Sequence, residues 1–257
     1  MGIINGVSIV VPVLNEVGSI QPLFMRIKKT LDTYETPYEI IFVDDHSSDG
    51  TRELLASLQA TNKNVRFLTK QGNRGKAYSI IEGTVSSTYD TICMIDADLQ
   101  YPPESIAPMV TLMETLGSDV VITKRIDNET SWLRKLMSLT FNFIFTRALF
   151  GLSYDTQSGL KLFKKEVLRP DEIDPTPWSF DLEFIVVALQ HRYLIASLDI
   201  PFGMRTSGEA KVSIYKSSIE LARASLRLRL KNLKVPTATL YKQNLARLMP
   251  QSSRETS

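Results

Sequence analysis

The chain has 257 residues, of which 43% are hydrophobic and 23% charged, which suits one large α/β domain or two small ones. Its single cysteine, Cys93, excludes an internal disulfide and any cysteine-based metal cluster, and the two histidines, His46 and His191, are too few and too distant to suggest a zinc site. The net charge of +2 is unevenly spread: from Lys211 onward the charges are almost all basic (Lys216, Arg223, Arg227, Arg229, Lys231, Lys234, Lys242, Arg247, Arg254), against Glu220 and Glu255.

In chain order, Val7 to Val13 is a continuous run rich in β-branched residues, the pattern of a strand buried on both faces. An amphipathic helix is expected from about Ser19 to Leu31. Glu39 to Val43 reads as the next strand and ends in Asp44-Asp45. Ser48 or Asp49 can then cap a helix running through Leu54, Leu55 and Leu58. Val65 to Leu68 is a third strand and Ala77 to Val85 a helix. Thr91 to Ile95 is a fourth strand, holding Cys93 as a buried structural thiol. Pro103 to Leu116 is the helix after it, with proline near its start, and Val120 to Thr123 is a fifth strand.

Strands alternating with helices over about 125 residues imply a doubly wound, mostly parallel sheet. Ligands of such sheets bind beyond the carboxyl ends of the strands. The polar clusters fall at those ends: Asn15-Glu16, Asp44-Asp45, Asp96-Asp98 and Lys124-Arg125. Neither a Gly-x-Gly-x-x-Gly turn after the first strand nor a Walker-type lysine loop is present, which argues against a dinucleotide oxidoreductase and a P-loop enzyme.

The most informative stretch is Met94 to Glu104, where two carboxylates, Asp96 and Asp98, follow an apolar run. Side chains two apart on a strand point the same way, so the pair is expected to converge just past the strand end. Carboxylates that close repel unless a cation lies between them or one is protonated. A divalent ion that leaves coordination sites for phosphate oxygens resolves this. In isolation the motif is equally that of a solvated acidic turn before a Pro-Pro helix start.

Further motifs narrow the reading. Pro12-Val13-Leu14-Asn15-Glu16, Val43-Asp44-Asp45-His46-Ser47-Ser48-Asp49-Gly50-Thr51, Asn73-Arg74-Gly75-Lys76 and Asp96-Ala97-Asp98-Leu99-Gln100 form an ordered set. Together they resemble the inverting family-two glycosyltransferases of the GT-A fold. With Pro102-Pro103-Glu104 they are similar to the polyprenyl-phosphate sugar transferases of the dolichyl-phosphate mannose synthase type. The resemblance spans about residues 5 to 215.

It implies that Pro12, Leu14, Asn15, Glu16, Val43, Asp44, Asp45 and Lys76 line the donor pocket, with Asp44 or Asp45 on the base. Asp96, Ala97 and Asp98 approach the ribose and diphosphate. Asp98 and Gln100 hold Mg²⁺ or Mn²⁺, with Asp96 contributing directly or through water. Arg205 and Lys211 match a phosphate-binding pattern in which Ala210 replaces the usual serine. Asp155, Ser158 and Gly159 match another, in which Lys161 replaces an arginine. His46 stands where glycine is common, so that turn is expected to be shaped differently.

The implied reaction is transfer of a sugar from GDP-mannose or a UDP-hexose to a polyprenyl phosphate, dolichyl or undecaprenyl, with inversion at the anomeric carbon. Asp98, Arg125, Arg205 and Lys211 are the expected catalytic residues, and Arg125, Arg134 and Ser138 the acceptor-phosphate ligands. A phosphate monoester is already an anion near neutral pH and needs no general base. A hydroxyl acceptor would need a base after the fifth strand, where this chain has Lys124-Arg125. A transferase for a saccharide hydroxyl and a catalytically silent nucleotide-sugar-binding subunit remain the alternatives.

No segment approaches the roughly 20 uncharged apolar residues of a membrane span. The nearest is Trp132 to Phe150, which reads as a helix lying in the membrane interface or as a core or dimer helix. The basic helix from about Ile214 to Lys234 reads as a surface for anionic lipid or a partner. Asp181 and Glu183 stand near the donor sugar or cap the helix through Phe184 to Leu189. Expected units are a GT-A domain over 1–213, a basic amphipathic helix over 214–236, and a partly disordered tail over 237–257. With no leader apparent, the expected setting is cytoplasmic and peripheral to a membrane, attached directly or through a separate transmembrane subunit. Self-association is left open, and no nucleic-acid partner is implied.

Overall fold

The computed structural model describes residues 4–126, 151–152, 154–174, 179–203, 214–231, 243–244 and 247. The elements are β1 (Val7–Val13), α1 (Val17–Thr33), β2 (Tyr38–Asp44), α2 (Thr51–Thr61), β3 (Val65–Thr69), α3 (Lys76–Val85), β4 (Thr91–Met94), α4 (Ile106–Leu116), β5 (Val120–Ile126), β6 (Lys161–Lys164), α5 (Phe180–Gln190), β7 (Ile195–Pro201) and α6 (Ile214–Lys231). A 3₁₀ turn at Pro103–Ser105 leads into α4, so the expected helix over 103–116 is two pieces.

The strands form one sheet in the order β3-β2-β1-β4-β6-β5-β7. Every pairing is parallel except those of β6, which runs antiparallel to both β4 and β5. This is the mostly parallel α/β sheet expected, with one strand reversed. The period-two alternation of the apolar strands explains its two cores. Val7, Ile9, Val11, Ile40 and Phe42 pack with Ile20, Leu23 and Ile27 of α1, Leu55 of α2 and Met109 of α4. Val10, Ile41 and Val43 pack on the opposite face with Ala77 and Ile80 of α3 and Phe184 and Val187 of α5. Continuous apolar strands are what a sheet covered on both faces demands.

From β1 the chain moves outward to β2 and β3, then crosses back over β1 to β4. The loops after β1 and β4 therefore leave in opposite directions and open a crevice at the carboxyl ends, the switch point of the sheet.

The strands β6 and β7 had no counterpart among the expected elements. The helix α6 docks through buried Ala224, Ser225 and Leu228, and Arg227 donates to Glu183 (2.9 Å). Two described points of the tail over 237–257 are tied to the domain. Asn244 is buried and bonded to Ile195 and Tyr154, and Arg247 donates to the carbonyl of Arg192. Among the described residues no helix is long and apolar enough to cross a membrane.

Candidate functional site

The loops after β1 and β2 are stitched together. Asn15 receives the Ser48 N–H on its side-chain oxygen (2.8 Å) and donates its own N–H to Ser47 Oγ (2.8 Å). The Glu16 N–H reaches Thr51 Oγ1 (3.0 Å), and Asp49 accepts from the N–H groups of both Thr51 and Val17. The N-cap of α2 is Gly50 and not Ser48 or Asp49, although Asp49 accepts the N–H of Thr51, the first residue of the helix. His46 has φ of 65°, the left-handed conformation that favours glycine. Histidine is thus held in a backbone conformation that glycine adopts without strain.

Asp44 is fully buried, and both its oxygens accept from the Ser47 N–H (3.1 and 3.2 Å). Asp45 pairs with buried Lys70 (2.7 Å) and accepts from the Gly75 N–H (2.8 Å), while Lys70 also donates to the Gly75 carbonyl (3.0 Å). Both polar groups of the Gly75 backbone are thereby fixed, the N–H to the end of β2 and the carbonyl to the end of β3. The next residue, Lys76, begins α3 and reaches Asp96 Oδ1 at 2.6 Å. Burial opposes the Lys76 charge, but the carboxylates of Asp96 and Asp181 outweigh it and hold its pKa above the ordinary lysine range.

Strand β4 ends at Met94, so Asp96 and Asp98 stand in the turn beyond it. That turn, with Leu99 at φ 63°, buries Ala97 and leaves both carboxylates half-buried. Asp98 Oδ1 accepts the Gln100 N–H (3.1 Å), and the Gln100 carbonyl accepts the N–H of Gly203 after β7 (3.0 Å). The expected repulsion between two neighbouring acids is met in part by Lys76, a protein cation.

Because β6 is antiparallel, its first residues lie at the carboxyl edge of the parallel strands, with Lys161 opposite Met94 and Ile122. This brings Asp155, Ser158 and Gly159 to the crevice. Arg125 makes a two-pronged pair with Asp155 (Nε–Oδ2 2.6 Å, Nη2–Oδ1 3.0 Å) and lies 5.2 Å from the centre of the Phe202 ring. Lys161 is fully buried, donates to the Ser158 carbonyl, and pairs with Asp181 of α5 (2.5 Å). Burial lowers its pKa, against the pull of Asp181. Tyr101 fills the floor between these pairs. Burial, eased by Arg125 and reinforced by Asp96, pushes its hydroxyl up to about 12, so it stays protonated. Gly159 packs directly on Asp96: a Cβ there would lie 2.0 Å from Asp96 Oδ2.

The structure thus gathers Asn15, Glu16, Asp44, Asp45, Lys76, Asp96, Ala97, Asp98, Gln100 and Arg125 at one edge. Leu14 is exposed and Pro12 half-buried, while Val43 is enclosed in the core, so only its backbone faces a ligand. Of the two acids at the start of α5, Asp181 faces Lys161, whereas Glu183 is bound by Arg227 and the Asp174 N–H (2.8 Å). Arg134, Ser138, Arg205 and Lys211, with the Trp132 to Phe150 segment, lie outside the described residues. Sequence reasoning missed Lys70. Its signal was a lysine ending an apolar strand immediately ahead of the Asn73–Lys76 motif.

Among the described residues no three His, Cys, Asp or Glu side chains gather as a metal cage. Mg²⁺ and Mn²⁺ do not require one, since one or two carboxylates with substrate phosphates and water complete the shell. Asp98 and Gln100, both half-buried and both oxygen donors, fit that donor set.

A mostly parallel sheet with its Asp-x-Asp turn at the switch point defines a glycosyltransferase of the GT-A fold. Residues 8–170 match the model of the family described as Glycosyl transferase family 2, and the chain belongs to that family. It is 35% identical over 166 residues to the undecaprenyl-phosphate 4-deoxy-4-formamido-L-arabinose transferase of Proteus mirabilis (strain HI4320), covering 64% of this chain and 51% of that protein. The enzyme of the same name from Serratia proteamaculans (strain 568) is 34% identical over 167 residues, 65% of this chain and 51% of its own length. The chain thus spans about half the length of the curated relatives it matches.

Among solved structures, glucosyl-3-phosphoglycerate synthase from Mycobacterium tuberculosis, in complex with Mn²⁺ and uridine-diphosphate-glucose, superposes with a TM-score of 0.68 at 17% identity. That match covers 87% of this chain and 79% of that one. Mannosyl-3-phosphoglycerate synthase from Rubrobacter xylanophilus gives 0.66 at 17% identity, over 90% and 75% of the two chains. At these identities the likeness is one of fold.

Proposed function

We propose that this domain transfers a sugar from a nucleotide diphosphate sugar to a polyprenyl phosphate, undecaprenyl phosphate above all, with inversion and with help from a divalent metal. The observation that carries the reading is the fate of the crevice carboxylates. Asp96 is paired with Lys76, Asp155 with Arg125, Asp181 with Lys161 and Asp45 with Lys70, all within 2.5–2.7 Å. None of these four is set to take a proton from a hydroxyl. An acceptor that brings its own negative charge needs no such base, and a phosphate monoester with a second pKa near about 6 is one. The names of the Proteus and Serratia relatives support this choice of acceptor.

Asp98 and Gln100 would hold Mg²⁺ or Mn²⁺, which supplies charge neutralisation for the departing diphosphate. The stitched loops carrying Asn15, Glu16, Asp44 and Asp45 shape the donor pocket, and Lys76 fixes the Asp96 carboxylate beside the donor. Arg125 offers the acceptor a fork whose geometry suits phosphate as it suits Asp155. By the resemblance, Arg205 and Lys211 would offer positive charge to the diphosphate, and Arg134 and Ser138 would bind the acceptor phosphate, one as a cation and the other as a hydroxyl donor. The exposed Leu226 and Leu230 of α6, with exposed Arg223, suit an anionic membrane surface, consistent with a peripheral position on the cytoplasmic face.

The test is transfer from a panel of nucleotide sugars, GDP-mannose and UDP-hexoses among them, to undecaprenyl phosphate with Mn²⁺ or Mg²⁺. Lipid-linked sugar that disappears with EDTA supports the proposal. Transfer to saccharide hydroxyls with none to the lipid phosphate would sink it.

A further inference from the structure

The end of the described chain meets the start of β7, where Ile195 lies opposite Val120 at the other end of β5 from Arg125, through one buried amide. Asn244 is 4% exposed. Its oxygen accepts the Ile195 N–H (2.8 Å), and its nitrogen donates to the Ile195 carbonyl (2.8 Å) and to the Tyr154 hydroxyl (2.6 Å). Ile195 opens β7, which among the described residues pairs only with β5, the strand whose far end carries Arg125. The Asn244 side chain therefore does for the first residue of β7 what a neighbouring strand would do, satisfying both backbone groups. The Tyr154 hydroxyl in turn donates to the Ile195 carbonyl (3.1 Å), and the ring is buried. The next residue is Asp155, which grips Arg125 with both oxygens. Arg247 adds a second tie at the same corner, to the carbonyl of Arg192, a residue held at φ 62°.

We infer that Asn244 is a positioning residue for the acceptor subsite: through Tyr154 it sets the place of Asp155, and through Asp155 the orientation of the Arg125 guanidinium. The inference rests on the reading of Arg125 as an acceptor-phosphate ligand. A displacement of Asn244 is thereby passed to Arg125 through Tyr154 and Asp155. The donor side is served by a separate set of contacts, the Asp45–Lys70–Gly75–Lys76 chain, which Asn244 does not touch.

The experiment measures two dissociation constants on the full chain by calorimetry, one for farnesyl phosphate and one for UDP with Mn²⁺. The variants are Asn244→Ala, Tyr154→Phe and Arg125→Ala, with thermal unfolding recorded for each. Asn244→Ala and Tyr154→Phe are expected to weaken farnesyl phosphate binding by about fivefold, within the range of couplings transmitted through packed networks. UDP binding is expected to stay within about twofold. A folded Asn244→Ala or Tyr154→Phe protein with unchanged affinity for farnesyl phosphate, while Arg125→Ala loses it, overturns the inference and leaves the function standing. Equal loss for both ligands overturns it as well, since that is what simple destabilisation produces. If Arg125→Ala itself binds farnesyl phosphate normally, the underlying reading of the acceptor site fails.

Discussion

Replacing Gly159 with alanine should damage the donor site far more than the fold. The added Cβ would sit 2.0 Å from Asp96 Oδ2, 2.6 Å from its Cγ and 2.9 Å from Tyr101 Cε2. Ordinary contacts settle near about 3.5 Å, so the carboxylate must withdraw by more than about 1 Å. It cannot do so freely, because Oδ1 is held at 2.6 Å by Lys76 and the buried Tyr101 closes the other side. The pair with Lys76 breaks or the turn carrying Asp98 moves with it. Overpacking of this kind costs about 1–3 kcal/mol of stability. At this chain length each kcal/mol lowers Tm by about 2–4 °C. A misplacement near 1 Å in a catalytic constellation lowers rates by about 10²-fold, so kcat/KM for the donor should fall by that order. Steady-state kinetics with varied donor at saturating Mn²⁺, alongside circular dichroism and a melting curve, separates the two effects. A folded Gly159→Ala enzyme whose donor kcat/KM stays within about threefold of wild type would refute the claim that Asp96 is locked in place.

Asp98→Ala should lower metal-dependent transfer by at least about 10²-fold, and excess Mn²⁺ should not restore it; rescue by metal would remove Asp98 from the ligand set. Lys161→Met leaves Asp181 without its buried partner and should lose about 3 kcal/mol in urea unfolding, whereas Lys161→Met with Asp181→Asn should regain most of that; equal stability of single and double variants would deny the pair any role. His46→Gly relieves a left-handed residue and should raise stability by up to about 1 kcal/mol, read as a shift in the urea midpoint; destabilisation would mean that the imidazole makes a compensating contact. Transfer to a lipid phosphate should decline as pH drops below about 6, where the acceptor dianion is protonated. A rate that holds level to pH 5 would speak for a different nucleophile.

Much of the sheet was legible because strands covered on both faces carry continuous apolar runs, as Ile9–Val13 of β1 and Ile40–Val43 of β2 do. Strand β6 escaped notice because it is four residues long and begins and ends in lysine. Lys161 can be buried only because Asp181, twenty residues on, meets its charge. Strand β7 is an edge strand that mixes Ser197 and Asp199 with apolar residues and closes on Pro201, which reads locally as a turn. The site residues were legible as types at strand ends, but their pairings were not. Arg125 with Asp155, Lys70 with Asp45 and Lys76 with Asp96 are set by the strand order and by the reversal of β6, which no local pattern encodes. The Asp-x-Asp pair was correctly placed at the ligand edge, although by a turn after Met94 and not by strand alternation.

The reversal of β6 has a consequence for how such a protein diversifies. Residues 127–160 leave from the end of β5 and return at the start of β6, and both points lie on the ligand-facing edge. An excursion anchored at both ends beside the crevice can lengthen, shorten or change its chemistry without altering the register of any strand. On the proposed reading, in which Arg125 and the residues after it meet the acceptor, acceptor choice can drift along an evolutionary lineage while the sheet stays as it is.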